Sequence, residues 1–116
     1  WNKQKYEVVE IEKKIYCKKY NYAGTLDLVV KDKKGNLVLI DIKTSNHITF
    51  DYYLQLNAYR FAYEEETKSK ISKSFIVRLP KKDSEIEIKE IPLNKKLFSA
   101  FIGAKYLMEQ MQSIEY

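Results

Sequence analysis

Gly24-Thr25-Leu26-Asp27, Leu39-Ile40-Asp41-Ile42-Lys43-Thr44 and Gln55-Leu56-Asn57-Ala58-Tyr59, in that order, decide the reading of this chain. The run from Leu37 to Ile42 is apolar except at Asp41 and reads as a buried strand. A carboxylate there is unfavourable unless it is paired, hydrogen-bonded or bound to a metal. Asp27 sits in a similar setting, between Leu26 and Leu28-Val29-Val30. Lys33-Lys34-Gly35-Asn36 carries a turn signal, because glycine accepts the positive φ that such turns need. A hairpin through this link makes Asp27 and Asp41 cross-strand or diagonal neighbours. Lys43 lies two residues beyond Asp41, so both side chains leave the strand on one face. Two carboxylates beside a fixed positive charge form a cation site, and without Cys or His they suit a hard ion, Mg2+ or Mn2+.

Working outward, residues 5–13 and 15–20 alternate as one long or two short strands, 23–30 is a strand and 36–44 is the central one. Asp51 is the expected cap of a helix from Tyr52 to Glu66, with Leu54, Ala58, Phe61 and Ala62 on its inner stripe. Gln55 and Tyr59, four apart, share one face of it. Strands at 74–79 and 85–91 flank a turn at Pro80-Lys81-Lys82-Asp83. Asn94 caps a final helix in which Leu97, Phe101, Ala104, Met108 and Met111 recur at helical spacing, and both methionines are expected in the core. The order of elements predicts an α/β fold with a mixed central β-sheet flanked by α-helices.

Gly-X-X-Asp, then Asp-X-Lys in an apolar strand, then Gln-X-X-X-Tyr on the next helix resembles the PD-(D/E)XK nuclease superfamily, in its RecB-type and phage-type exonuclease branch. The resemblance covers about residues 22–63 well and the remainder by order of elements. It implies a restriction-endonuclease-like core and a metal-dependent DNA nuclease, acting as an exonuclease on phosphodiester bonds. Carried over by position, it makes Asp27 and Asp41 metal ligands and gives Lys43 the orientation or activation of water, or charge stabilisation at the phosphate. Gln55 and Tyr59 then support the site and the DNA strand. Leu26 stands where the superfamily's name has proline, and Asp41 where glutamate is commoner. The third acid is expected to be Glu10 or Glu7, or to be absent, and Glu10 is preferred as the third metal ligand; strand alternation sets Glu10 and Glu12 on the face opposite Glu7, Val9 and Ile11. Alternative readings are an inactive DNA-binding module with a nuclease fold and a restriction-type endonuclease, the latter disfavoured by the Gln-X-X-X-Tyr mark.

The 116 residues suit one domain, and 45% hydrophobic content excludes disorder. The chain opens at Trp1 with strand-like sequence and no initiating Met, which reads as a fragment of a larger protein lacking part of the first helix, with further parent domains as partners. No apolar run approaches the roughly 20 residues of a membrane span. Twenty-one Lys and Arg against 16 acids give net +5, a moderate excess that suits a polyanion such as DNA. Cys17, the single cysteine, excludes an internal disulfide and a four-cysteine iron–sulfur site, and a reducing cytoplasm is the simplest setting. Without a Gly-rich phosphate loop the chain is not its own ATP-driven motor. His47 reads as a solvated loop residue, the lysine pairs as solvated turns, and Tyr52, Tyr53 and Tyr63 as half-buried amphipathic residues.

Overall fold

The computed structural model describes residues 6–45, 47–79 and 85–115, with side chains through residue 112. The turn expected at Pro80 to Asp83 lies outside the described residues. Strands β1 (Glu7–Cys17), β2 (Tyr22–Lys31) and β3 (Leu37–Lys43) form an antiparallel meander. Helix α1 (Phe50–Thr67) carries the chain over to β4 (Ile71–Arg78), which runs parallel to β3. Strand β5 (Glu87–Ile91) adds antiparallel to β4, and α2 (Lys95–Glu115) closes the order. The five strands lie in sequence order across one mixed sheet, the α/β architecture expected.

The β2–β3 hairpin is fixed where the glycine signal set it. Gly35 takes φ +86°, and the Asp32 carboxylate accepts the backbone N–H groups of Lys34 and Asn36 at 2.9 Å each. These bonds, that of Asn36 first, hold the Asp32 carboxyl below its usual range. At the far end of the crossover, Lys68 ends α1 in the left-handed conformation and donates its N–H to the Glu64 carbonyl. The Glu64 carboxylate accepts from the Ile71 backbone at 2.8 Å, tying the end of α1 to the first residue of β4.

Strand β3 is buried on both faces, as its apolar run predicts. Leu37 and Leu39 join the main core with Leu26, Val29, Leu56, Ala62, Ile76 and Ile91, whereas Val38 and Ile40 pack on the opposite face with Val30, Leu28, Phe75 and Val77. Leu26 and Val29 share the main core although three residues apart, so alternation along β2 breaks between them. The break lies opposite Glu12, which adopts φ 48°, and near a register shift between Val8 and Glu10.

Three expectations about the helices need correction. The N-cap of α1 is Thr49, and Asp51 sits in the first turn, where its charge complements the helix dipole. The inner face of α1 buries Leu56, Asn57, Ala58, Ala62 and Tyr63, whereas Leu54 is only partly buried and Phe61 turns to stack on Phe98 of α2. Polar Asn57 masked this stripe in the sequence; its side chain donates to the Tyr53 and Pro92 carbonyls and accepts from the Asn94 backbone, joining α1 to the start of α2. Asn94 does cap α2, accepting the Leu97 N–H at 2.8 Å. Met108 and Met111, however, are 60% and 54% exposed. The packing face of α2 is Phe98, Phe101 and Ile102, and Tyr106, Leu107 and the two methionines beyond it meet solvent.

Candidate active site

The β2–β3 ladder runs from Lys31 opposite Leu37 to Leu28 opposite Ile40 and stops one residue before Asp27 would face Asp41. There the Asp27 carboxylate replaces the ladder, accepting the Ile42 backbone N–H on Oδ2 at 2.8 Å. The break in alternation between Leu26 and Val29 turns Asp27 toward the face that carries Asp41 and α1. Both carboxylates therefore gather where two strands diverge, beside the N-terminal half of the helix.

Asp41 is 3% exposed. Its Oδ2 lies 2.9 Å from Lys43 Nζ, yet among the described residues this oxygen has no aligned hydrogen bond. The contact is a close ion pair, and Lys43 also donates to Gln55 Oε1 at 3.0 Å. Burial raises the Asp41 pKa, against the opposing pull of Lys43, and the neighbouring Asp27 charge raises it further. Lys43 is also capped by the Tyr52 ring, 4.5 Å from Nζ to centroid. The Tyr52 hydroxyl donates to Ser45 Oγ at 3.0 Å, and Ser45 in turn donates to the His47 carbonyl. Tyr52, Gln55 and Tyr59, at helical spacings of three and four, thus line one face of α1 over the strand ends.

Tyr59 leans on β2 at Gly24. A Cβ at Gly24 would come within 2.5 Å of the Tyr59 ring, so the glycine of Gly-X-X-Asp leaves the room that the tyrosine of Gln-X-X-X-Tyr occupies. Burial, then the charge of Asp41, raises the Tyr59 pKa and keeps its hydroxyl protonated.

The structure brings together Asp27, Asp41, Lys43, Gln55 and Tyr59. Glu10 is placed apart from this cluster: its carboxylate accepts from the Tyr63 hydroxyl at 3.4 Å, one helical turn beyond Tyr59. Glu7 is exposed near the start of β1, and among the described residues no group of three His, Cys, Asp or Glu assembles. His47 is an exposed loop residue. Tyr52, read from the sequence as a half-buried amphipathic residue, is half-buried and also caps Lys43; its position three residues before Gln55 was the available signal for that role. Arg78 was also missed, because its place beside Lys43 follows from a parallel register that no local pattern encodes.

The pair fits a hard divalent cation. Two carboxylates sit together here with the Lys43 ammonium against one of them, and a further cation offsets the repulsion between them. Mg2+ is commonly held by one or two protein carboxylates, with water and phosphate oxygens completing the shell. Asp27 and Asp41 supply that donor set without soft ligands.

The chain resembles the solved structure of SSO0001 with a TM-score of 0.57 at 19% identity over 85% of its length, a likeness of fold. A Eubacterium rectale protein named "Putative exonuclease" aligns at 12% identity over 82% of the chain, with a TM-score of 0.47 too low to carry an argument. The chain spans 50% and 40% of those two proteins. No curated protein sequence matches it. The model of the PD-(D/E)XK nuclease superfamily matches residues 1–115, nearly the whole chain, and with the acids and lysine gathered at the end of β3 the chain belongs to that superfamily.

Proposed function

We propose that the chain is a metal-dependent deoxyribonuclease that hydrolyses phosphodiester bonds as an exonuclease, with DNA as its partner. One observation carries the reading: buried Asp41 beside Asp27, ion-paired with a Lys43 ammonium that Gln55 also holds. Asp27 and Asp41 would hold Mg2+ or Mn2+, and such a cation, when bound, supplies Lewis acidity toward phosphate oxygens and toward water. Lys43 presents its charge where the phosphate gathers negative charge during attack by water. Gln55 and Tyr52 hold that ammonium from two sides, and a preorganised charge reorganises little during reaction. Tyr59 fills the space behind the acids and, as a protonated phenol, offers a hydrogen bond to the substrate strand. The exonuclease assignment rests on the resemblance of Gln55 and Tyr59 to the Gln-X-X-X-Tyr pattern.

The test is cleavage of linear and of covalently closed circular DNA with Mg2+ or Mn2+. Linear DNA is expected to be degraded from its ends while circles persist, and Lys43→Met is expected to lower kcat by about 100-fold or more. Inert wild-type protein in both metals refutes hydrolysis, and cutting of circles at the linear rate refutes the exonuclease assignment. A second reading, a DNA-binding module without catalysis, is favoured by the engagement of Glu10 with Tyr63 and by the lack of a third acid at the pair among the described residues. It predicts salt-sensitive DNA binding with no cleavage in either metal.

A further inference from the structure

We propose that Arg78 is a second phosphate-binding cation of this site, holding the phosphodiester next to the one that Lys43 serves. The assignment rests on the nuclease reading and extends it to how the DNA strand is gripped.

Its basis is register. Arg78 on β4 is the direct partner of Lys43 on the parallel strand β3, as Ile76 is of Asp41. Ser74 and Ile76 are buried toward the face that α1 covers, and Arg78 follows by two, so its side chain leaves the sheet on the face of Asp41 and Lys43. Both cations stand at the carboxyl ends of the only parallel pair among the described strands, the edge where open α/β sheets take ligands. Adjacent strands are about 4.8 Å apart, so two long cationic side chains there can serve successive phosphates of one strand.

The state of the guanidinium agrees. Nε donates to Glu87 Oε1 at 2.8 Å and Nη1 to the Ser45 carbonyl at 3.5 Å. Of five N–H groups, three are left without a partner among the described residues. The side chain keeps 19% exposure, and Glu87, 47% exposed, pairs with Nε and leaves the fork unsaturated. Ser45 links the cations: its carbonyl receives Arg78 and its hydroxyl receives Tyr52, whose ring caps Lys43. Of 21 cationic residues only Arg60 and Arg78 are arginines, and Arg60 is engaged in a helical pair with Glu64. A planar fork that grips phosphate bidentately thus stands beside the lysine of the site.

The test is binding of a single-stranded oligonucleotide against salt without divalent cations, for wild type, Arg78→Gln, Arg78→Lys and Glu87→Gln, with thermal unfolding of each. Loss of one phosphate contact lowers the slope of log K against log salt by about 0.7. Arg78→Gln should lose that amount equally for different base sequences, whereas Arg78→Lys and Glu87→Gln keep the wild-type slope. An unchanged slope in Arg78→Gln overturns the assignment, as does the same slope change in Glu87→Gln, which would make the ion pair a structural clasp. If Arg78→Gln fails to fold, the slope of Arg78→Lys decides: kept supports the proposal, lost overturns it. Metal-dependent cleavage by wild type, measured in parallel, separates the two levels. Cleavage with an unchanged slope in Arg78→Gln fails this assignment alone, and a lost slope without wild-type cleavage fails the nuclease reading alone.

Discussion

Gly24→Ala tests whether the strand glycine and the helix tyrosine form one packing unit. The new Cβ would lie 2.5 Å from Tyr59 Cε1, 3.1 Å from Cζ and 3.2 Å from the hydroxyl oxygen. Carbon atoms in contact normally stand about 3.5 to 4.0 Å apart, so the ring must retreat by roughly 1 Å. Tyr59 is packed against the main core and cannot swing freely. Overpacking of this kind costs about 1 to 3 kcal/mol, a fall in Tm of roughly 4 to 15 °C for a domain of this size. Displacing Tyr59 also disturbs Gln55, four residues away on the same helix face, and through it Lys43, so metal-dependent cleavage should fall with stability. The assay is thermal unfolding and single-turnover cleavage for Gly24→Ala, Tyr59→Leu and the double variant. If the contact governs, the double variant recovers most of the loss caused by Gly24→Ala, with a coupling of at least about 1 kcal/mol. Additive losses would refute the pairing.

The raised Asp41 pKa predicts the sign of a pH effect. The folded state holds this proton more tightly than the unfolded chain, so without metal its contribution to stability falls as pH rises from the ordinary carboxylate range through the folded pKa. Asp41→Asn should remove that part of the pH slope, measured by denaturant unfolding across mildly acidic pH; a slope unchanged by the substitution contradicts the burial argument. Mg2+ at 100 times its Kd should stabilise the wild type by about 2.7 kcal/mol and leave Asp41→Asn unmoved. Tyr52→Leu removes the ring from Lys43, a contact of about 1 kcal/mol, and should lower single-turnover cleavage roughly fivefold, whereas Tyr52→Phe keeps the ring and most of the rate. Equal losses in the two would assign the effect to the Ser45 hydrogen bond instead.

The parts of the molecule legible in the sequence were those set by local chemistry. An acid in an apolar run marked β3, Gly35 marked the hairpin, and the four-residue spacing of Gln55 and Tyr59 set them on one helix face. What escaped depends on tertiary placement. The methionines of α2 share a helical period with its buried residues, and nothing local says that the packing face ends at Ile102. The fit of Gly24 to Tyr59 and the pairing of Lys43 with Arg78 join residues 35 positions apart in each case, through a crossover that fixes register only once folded. The break in alternation that turns Asp27 toward α1 lies opposite Glu12, a non-glycine residue at positive φ that composition does not announce.

The measurement that bears most directly on the account is anomalous diffraction from crystals soaked in Mn2+, paired with Mn2+ titration of the wild type and of Asp27→Asn and Asp41→Asn. The account predicts Mn2+ between the Asp27 and Asp41 carboxylates, at oxygen distances of about 2.0 to 2.2 Å, and binding lost in both variants. Density elsewhere, or an affinity that neither substitution changes, would contradict it.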